Sequence, residues 1–155
     1  MGKQPNPEPT ITSYGEMEVD FTQPLAAMIA ASGYDWVNGD ITQERFPHRG
    51  NGKVAREMVT VGFGRRMTTP QVEAELKRLG IDPWTMADLC TFGVKHPDVQ
   101  RERPVVATGQ NWLNPDRDRR FGVLHRDGSE RSLNLYWDGG SSGWSESCVF
   151  GGFRK

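Results

Sequence analysis

The chain has 155 residues, and its 19 basic side chains against 20 acidic ones leave a net charge of −1. That length fits one domain with one core. The even balance excludes the basic excess that nucleic acid or an acidic membrane surface recruits. The longest apolar stretch, Leu25–Ala31, is far too short for membrane insertion.

Residues 1–20 contain three prolines, few apolar side chains and no period, so they are expected to be a flexible N-terminal arm. They lack the basic-then-apolar build of a secretory signal, and no export by that route is expected unless processing has already occurred. Residues 21–53 read as a helical and irregular extension. Thr22 is a candidate N-cap, Pro24 suits a first turn, and Leu25–Ser32 forms a short helix closed by Gly33. The following segment mixes aromatic anchors with turn residues, and Gly50-Asn51-Gly52 marks a chain reversal.

From Val54 to Phe63 the alternation puts Met58, Thr60 and Gly62 on one face and Val59, Val61 and Phe63 on the other, as in a largely buried strand. Thr68 or Thr69 caps the next helix, which carries Val72, Leu76 and Leu79 as an apolar stripe and stops at Gly80. Thr85 with Asp88 three residues on announces another helix, stapled by Trp84 and Leu89 and ending at Gly93. The period then becomes two. PVVATGQNW, RRFGVLHRDGSE, RSLNLYWDGG and CVFGGFRK are four short strands, and Asp127-Gly128 is a hairpin signal between two of them.

The 18 glycines and five tryptophans concentrate towards the C-terminal third. This composition gives turns that carry large aromatic anchors. In Leu133-Asn134-Leu135-Tyr136 the leucines are expected to face inward and Asn134 and Tyr136 outward. Tyrosine and tryptophan supply contact area with two torsions to freeze, while serine, glycine, asparagine and aspartate supply adaptable hydrogen bonds. The candidate ligand-binding residues are therefore Asn134, Tyr136, Trp137, Asp138, Ser141, Ser142, Trp144, Ser145, Glu146 and Ser147. Five tryptophans cannot all be exposed, and Trp112 is assigned to the core. A Gly- and Ser-rich stretch between strands reads equally as an ordinary loop.

No catalytic set emerges. Cys90 lies on a helix beside Leu89 and Phe92 and is expected inside; Cys148 has no second cysteine close by. His125 is the one histidine of the strand region and stands without a paired nucleophile. The chain is read as a non-enzyme without cofactor or metal.

The order of strand, two helices and short antiparallel strands, together with RLGIDPWTMADL and VVATGQNW, resembles the C-type lectin fold across residues 54–155. The resemblance implies an α+β domain with two helices packed on short antiparallel strands, and with first and last strands paired. The ending GGFRK is similar to that of formylglycine-generating-enzyme-like members. A calcium site of the sugar-binding kind would draw on Asn114, Asp116, Asp118 and Asp138, but Trp137-Asp138-Gly139 replaces its Trp-Asn-Asp partner motif.

Within that group the tail is most similar to the variable proteins of diversity-generating retroelements, whose C-terminal cassette is rewritten at adenines. Mutating an AAY asparagine codon at its two adenines yields NNY codons, which include Asn, Asp, Ser, Gly, Tyr and Cys and exclude Trp, Glu, Lys, Met and Gln. Asn134, Tyr136, Asp138, Gly139, Gly140, Ser141, Ser142, Gly143, Ser145, Ser147 and Cys148 fall in the allowed set, while Trp137, Trp144, Glu146 and Phe153 would belong to the fixed scaffold. The resemblance implies a variable surface at about 111–149 that binds an unknown protein or surface ligand. An enzyme-like relative of the formylglycine-generating group, or an invariant structural protein, is the alternative.

Overall fold

Alternation along one strand sends apolar side chains in two directions. In Lys53–Gly62, Met58 joins a cluster with Leu89, Phe92, Val105 and Leu133, whereas Val59 and Val61 join another with Val72, Leu76, Val106 and Phe150. A strand buried on both faces must lie inside a sheet covered on both sides. The computed structural model describes residues 8–137 and 143–154. Its elements are β1 (Thr10–Asp20), α1 (Leu25–Ala30), β2 (Trp36–Val37), β3 (Lys53–Gly62), α2 (Thr69–Arg78), β4 (Ile81–Pro83), α3 (Met86–Lys95), α4 (Val99–Glu102), β5 (Val105–Leu113), β6 (Arg119–Asp127), β7 (Glu130–Tyr136) and β8 (Val149–Arg154).

These form an α+β protein with one eight-stranded sheet among the described residues, ordered β1-β3-β8-β5-β6-β7-β2, with β4 also on β8. Val61 pairs with Phe150, as expected for the strand after residue 53 and the last strand. The sheet is mixed, correcting the expectation of antiparallel strands: β5 runs parallel to β8, and β2 to β7. The two main helices also do not share a face. α2 places Val72 and Leu76 in one cluster and α3 places Met86, Leu89 and Phe92 in the other.

Capping sets the starts of both helices. Thr68 Oγ1 accepts from Gln71 N at 3.4 Å, while Gln71 Oε1 accepts from Thr68 N at 2.9 Å. In α3, Asp88 Oδ2 accepts from Thr85 N at 2.8 Å. Such caps contribute about 1 kcal/mol each. α3 runs past Gly93 to Lys95, with the exposed Val94 and Lys95 completing its last turn. The short first helix starts later than its sequence suggests. Thr22 bonds back to Asp20, and Pro24 occupies the cap position.

The expected N-terminal arm is corrected over residues 10–20, which form β1 on the edge of β3. A bulge shifts the register between Ser13 and Glu16, with Gly15 at φ +79°. Tyr14 before the bulge and Met17 and Val19 after it consequently meet the same cluster, although their positions differ in parity. The core tryptophan is also different from the one expected. Trp84 is fully buried and Trp144 is 6% exposed, whereas Trp112 is half-buried at the cluster's rim.

Gly109 and Gly151 make room for Trp84. A Cβ on Gly151 would overlap the six-membered ring of Trp84, and one on Gly109 would overlap the Pro83 and Trp84 carbonyl oxygens. Trp84 N donates to Gly151 O at 3.1 Å, and Gly109 N donates to Trp84 O at 2.7 Å. The indole is thereby clamped between two strands.

Candidate functional site

The site is built where β5 and β7 end and β6 begins. The hairpin Gly128-Ser129 turns β6 into β7, with Gly128 at φ +62°, and the ladder pairs Phe121 with Tyr136 and Gly122 with Leu135. Leu133 and Leu135 are buried on one side of β7, while Asn134 is half-buried and Tyr136 is 38% exposed on the other. This is the facing the alternation implies.

β2 fixes the outer edge of β7. Asn38 N donates to Leu133 O at 2.9 Å, and Asn38 Nδ2 donates to Asn134 Oδ1 at 2.8 Å. Asn134 Oδ1 also accepts from Leu135 N at 2.8 Å. Asn134 Oδ1 thus takes two donors, and the half-buried side chain is held in place beside β2.

Beyond that edge lies a groove of about 290 Å³ lined by Asn38, Asp40, Trp112, Asn114, Pro115, Arg120 and Leu135. Arg45 stacks on Trp112 at 4.7 Å from the ring centre, and Arg120 stacks on Trp137 at 5.6 Å. Arg120 also pairs with Asp118 at 3.4 Å. Trp137 is 43% exposed and Leu113 56% exposed. Apolar surface, two stacked guanidiniums and planar amides meet here. Such a surface makes large contacts with little side-chain freezing.

Asn114 and Asp118, weighed for calcium, have local work. Asn114 Oδ1 accepts from Asp118 N at 2.9 Å and closes the turn in which Arg117 takes φ +66°. Asp116 is exposed. Asp138 lies outside the described residues, as do Ser141 and Ser142.

On the other side of β7, Tyr136 packs edge-on against His125 at 5.2 Å between ring centres, its Oη 3.3 Å from Nε2. Trp144 is a correction. Expected among the ligand-facing residues, it sits against Phe121 and Phe150, and its Nε1 donates to Thr69 Oγ1 at 3.0 Å. Its backbone bridges Met67, with Trp144 N donating to Met67 O at 2.7 Å. An indole N–H needs a partner when buried, and Thr69 supplies it. Glu146 and Ser147 are exposed, while Ser145 is half-buried with its Oγ 2.9 Å from Ser147 Oγ.

Both cysteines are buried and unbridged. Burial pushes the Cys90 thiol up to about 12. Burial also raises the Cys148 thiol, outweighing hydrogen bonds from Ser145. Each is a thiol at neutral pH, a poor state for a nucleophile.

Asn38, Asp40, Pro115 and Arg120 were absent from the candidates read off the sequence. Their shared groove depends on β2 pairing with β7 nearly a hundred residues away. Only Arg120, beside the aromatic-rich tail in the strand ladder, had a sequence signal. No protein-family model, curated protein or solved structure matches the chain. Among the described residues, no helix is long and apolar enough to cross a membrane.

Proposed function

We propose that the chain is a ligand-binding protein of C-type-lectin-like build whose C-terminal surface is diversified by a retroelement and binds a protein or surface ligand. The observation that carries this reading is the division within β7 and the segment after it. Leu133, Leu135, Trp144 and Cys148 are buried, while Tyr136, Trp137, Glu146 and Ser147 face out. Scaffold and display alternate in one stretch of chain, so Tyr136 and Ser147, which fall in the adenine-reachable set, can change without removing packing, while Trp137 and Glu146 would be invariant contacts beside them. The buried protonated thiols favour binding over the thiol chemistry of the formylglycine-generating alternative.

Ligand contact belongs to Trp137, Tyr136, Glu146 and Ser147, with Asp138, Ser141 and Ser142 beside them in sequence. Trp112 and Arg120 extend the surface into the groove. Sequencing the DNA that flanks the coding region tests the reading. A reverse transcriptase gene and a near-copy of the final coding bases, differing at adenines, are the expected result. Absence of such a copy, with identical 3′ sequences in independent isolates, would remove the diversification claim.

A further inference from the structure

At the opposite edge of the sheet, part of the face shared by β1 and β3 carries hydroxyls. Thr12 pairs with Thr60 and Thr10 with Gly62, so these positions are neighbours across the ladder. Tyr14 continues the row, its ring held 4.9 Å from that of Phe92 and 4.8 Å from that of His96. The end of α4 and the residue after it rise beside this face and enclose a cavity of about 300 Å³ lined by these four side chains with Glu102 and Arg103.

The cavity's polar groups are unused. Among the described residues, the hydroxyls of Thr10, Thr12, Thr60 and Tyr14 have no hydrogen-bond partner, and the Arg103 guanidinium has no carboxylate. Thr60 is the telling member. It is 3% exposed, yet its oxygen is absent from the polar atoms sealed from solvent, so the surface it retains opens into the cavity. That oxygen can be hydrated when no ligand is bound, so a ligand that enters must replace the water with a hydrogen bond of its own to bind there.

Gly62 matters to the shape. A Cβ there would stand 4.0 Å from Arg103 Nη1 and in contact with Val149, so the missing side chain leaves room beneath the guanidinium. Arg103 offers a charged fork suited to an oxyanion. Glu102 on the same rim repels a second anionic group but accepts from a hydroxyl. The volume matches the small end of ligand pockets, which begin at about 300 Å³.

We infer that this cavity between β1, β3 and α4 binds a small hydroxylated oxyanion, with its phosphate or carboxylate on Arg103 and its hydroxyls on Thr10, Thr12 and Thr60. The site is separate from the groove at the end of β7 and does not depend on it.

Amide chemical-shift titration of the full chain with glycerol 3-phosphate and with glycerate, against sodium chloride at matched ionic strength, tests the assignment. Saturable shifts confined to residues 10–14, 60–62 and 102–103 are expected with at least one of the two anions, and the tighter of them identifies phosphate or carboxylate. Arg103→Gln, at an exposed position, should weaken binding about tenfold or more, the loss of one charge-assisted contact. Thr60→Val should weaken it as well, and Thr60→Ser, which keeps the hydroxyl, should not. If Thr60→Val does not fold, Arg103→Gln decides alone. Shifts equal to those in chloride, no saturation with either anion, or undiminished binding by Arg103→Gln would each overturn the inference.

Discussion

Arg131 is 6% exposed, and among the described residues no carboxylate pairs with its guanidinium. Its charge is met by neutral oxygens. Nη1 donates to Ser32 O at 2.8 Å, and Nη2 donates to Ser32 Oγ at 2.8 Å, Gly93 O at 3.1 Å and Gln100 Oε1 at 3.1 Å. The face of Tyr34 lies 4.9 Å away. One side chain therefore ties the turn after α1, the α3 backbone and α4 to the start of β7, the strand that carries the display surface. Removing it strands several buried neutral acceptors at once, and each one left unpaired costs about 1–3 kcal/mol. Arg131→Met should lower stability by more than one such loss in a urea melt, and Ser32→Ala by about 1 kcal/mol. Equal small losses for the two would show that the guanidinium contributes little beyond a single hydrogen bond.

Elements show which local signals survive into the fold. α2 and α3 were legible because Thr68, Pro70, Thr85 and Asp88 act within four residues of where they stand. The four C-terminal strands were legible because alternation and the Asp127-Gly128 turn are likewise local. β1 was hidden. Its alternation changes parity at Gly15, so Tyr14 and Met17 read as unrelated positions until the bulge reconciles them. Three prolines just upstream lowered the expectation further. β2, two residues long, has no period to detect. The groove depended on that hidden pairing, which is why Asn38 and Arg120 were not joined in advance. Trp84 was identified only as a helix staple, because its burial rests on glycines at 109 and 151, far along the chain. Gly151→Ala should cost about 3 kcal/mol or more, since the added methyl meets a ring held on both sides. Gly39→Ala, with open space around its Cβ, should change stability by under about 0.5 kcal/mol. Trp84→Leu in the Gly151→Ala background should cost less than in the parent, a coupling that a double-mutant cycle measures. Strict additivity would argue against the clamp.

At the scale of the molecule, one sheet separates two cores and presents different chemistry at its two edges. The β1 edge carries unpartnered hydroxyls and Arg103; the β7 edge carries Trp112, Trp137 and Tyr136 beside the segment that Trp144 fastens back to Met67. That fastening makes the proposed function physically reasonable. β7 ends at Tyr136 and Trp144 is fastened to Met67, so the exposed residues beside these two points, Tyr136, Trp137, Glu146 and Ser147, can be replaced while the backbone stays anchored. The central claim is that this surface and the scaffold are energetically separate. Thermal melting of a Tyr136→Ser, Trp137→Ser, Glu146→Ala, Ser147→Ala variant beside Leu135→Ala tests it directly. The surface variant should melt within about 3 °C of the parent, because exposed substitutions cost little, while Leu135→Ala should fall by about 5–15 °C. A surface variant that loses as much as Leu135→Ala would show that these residues hold the fold together and are not free to serve as a display.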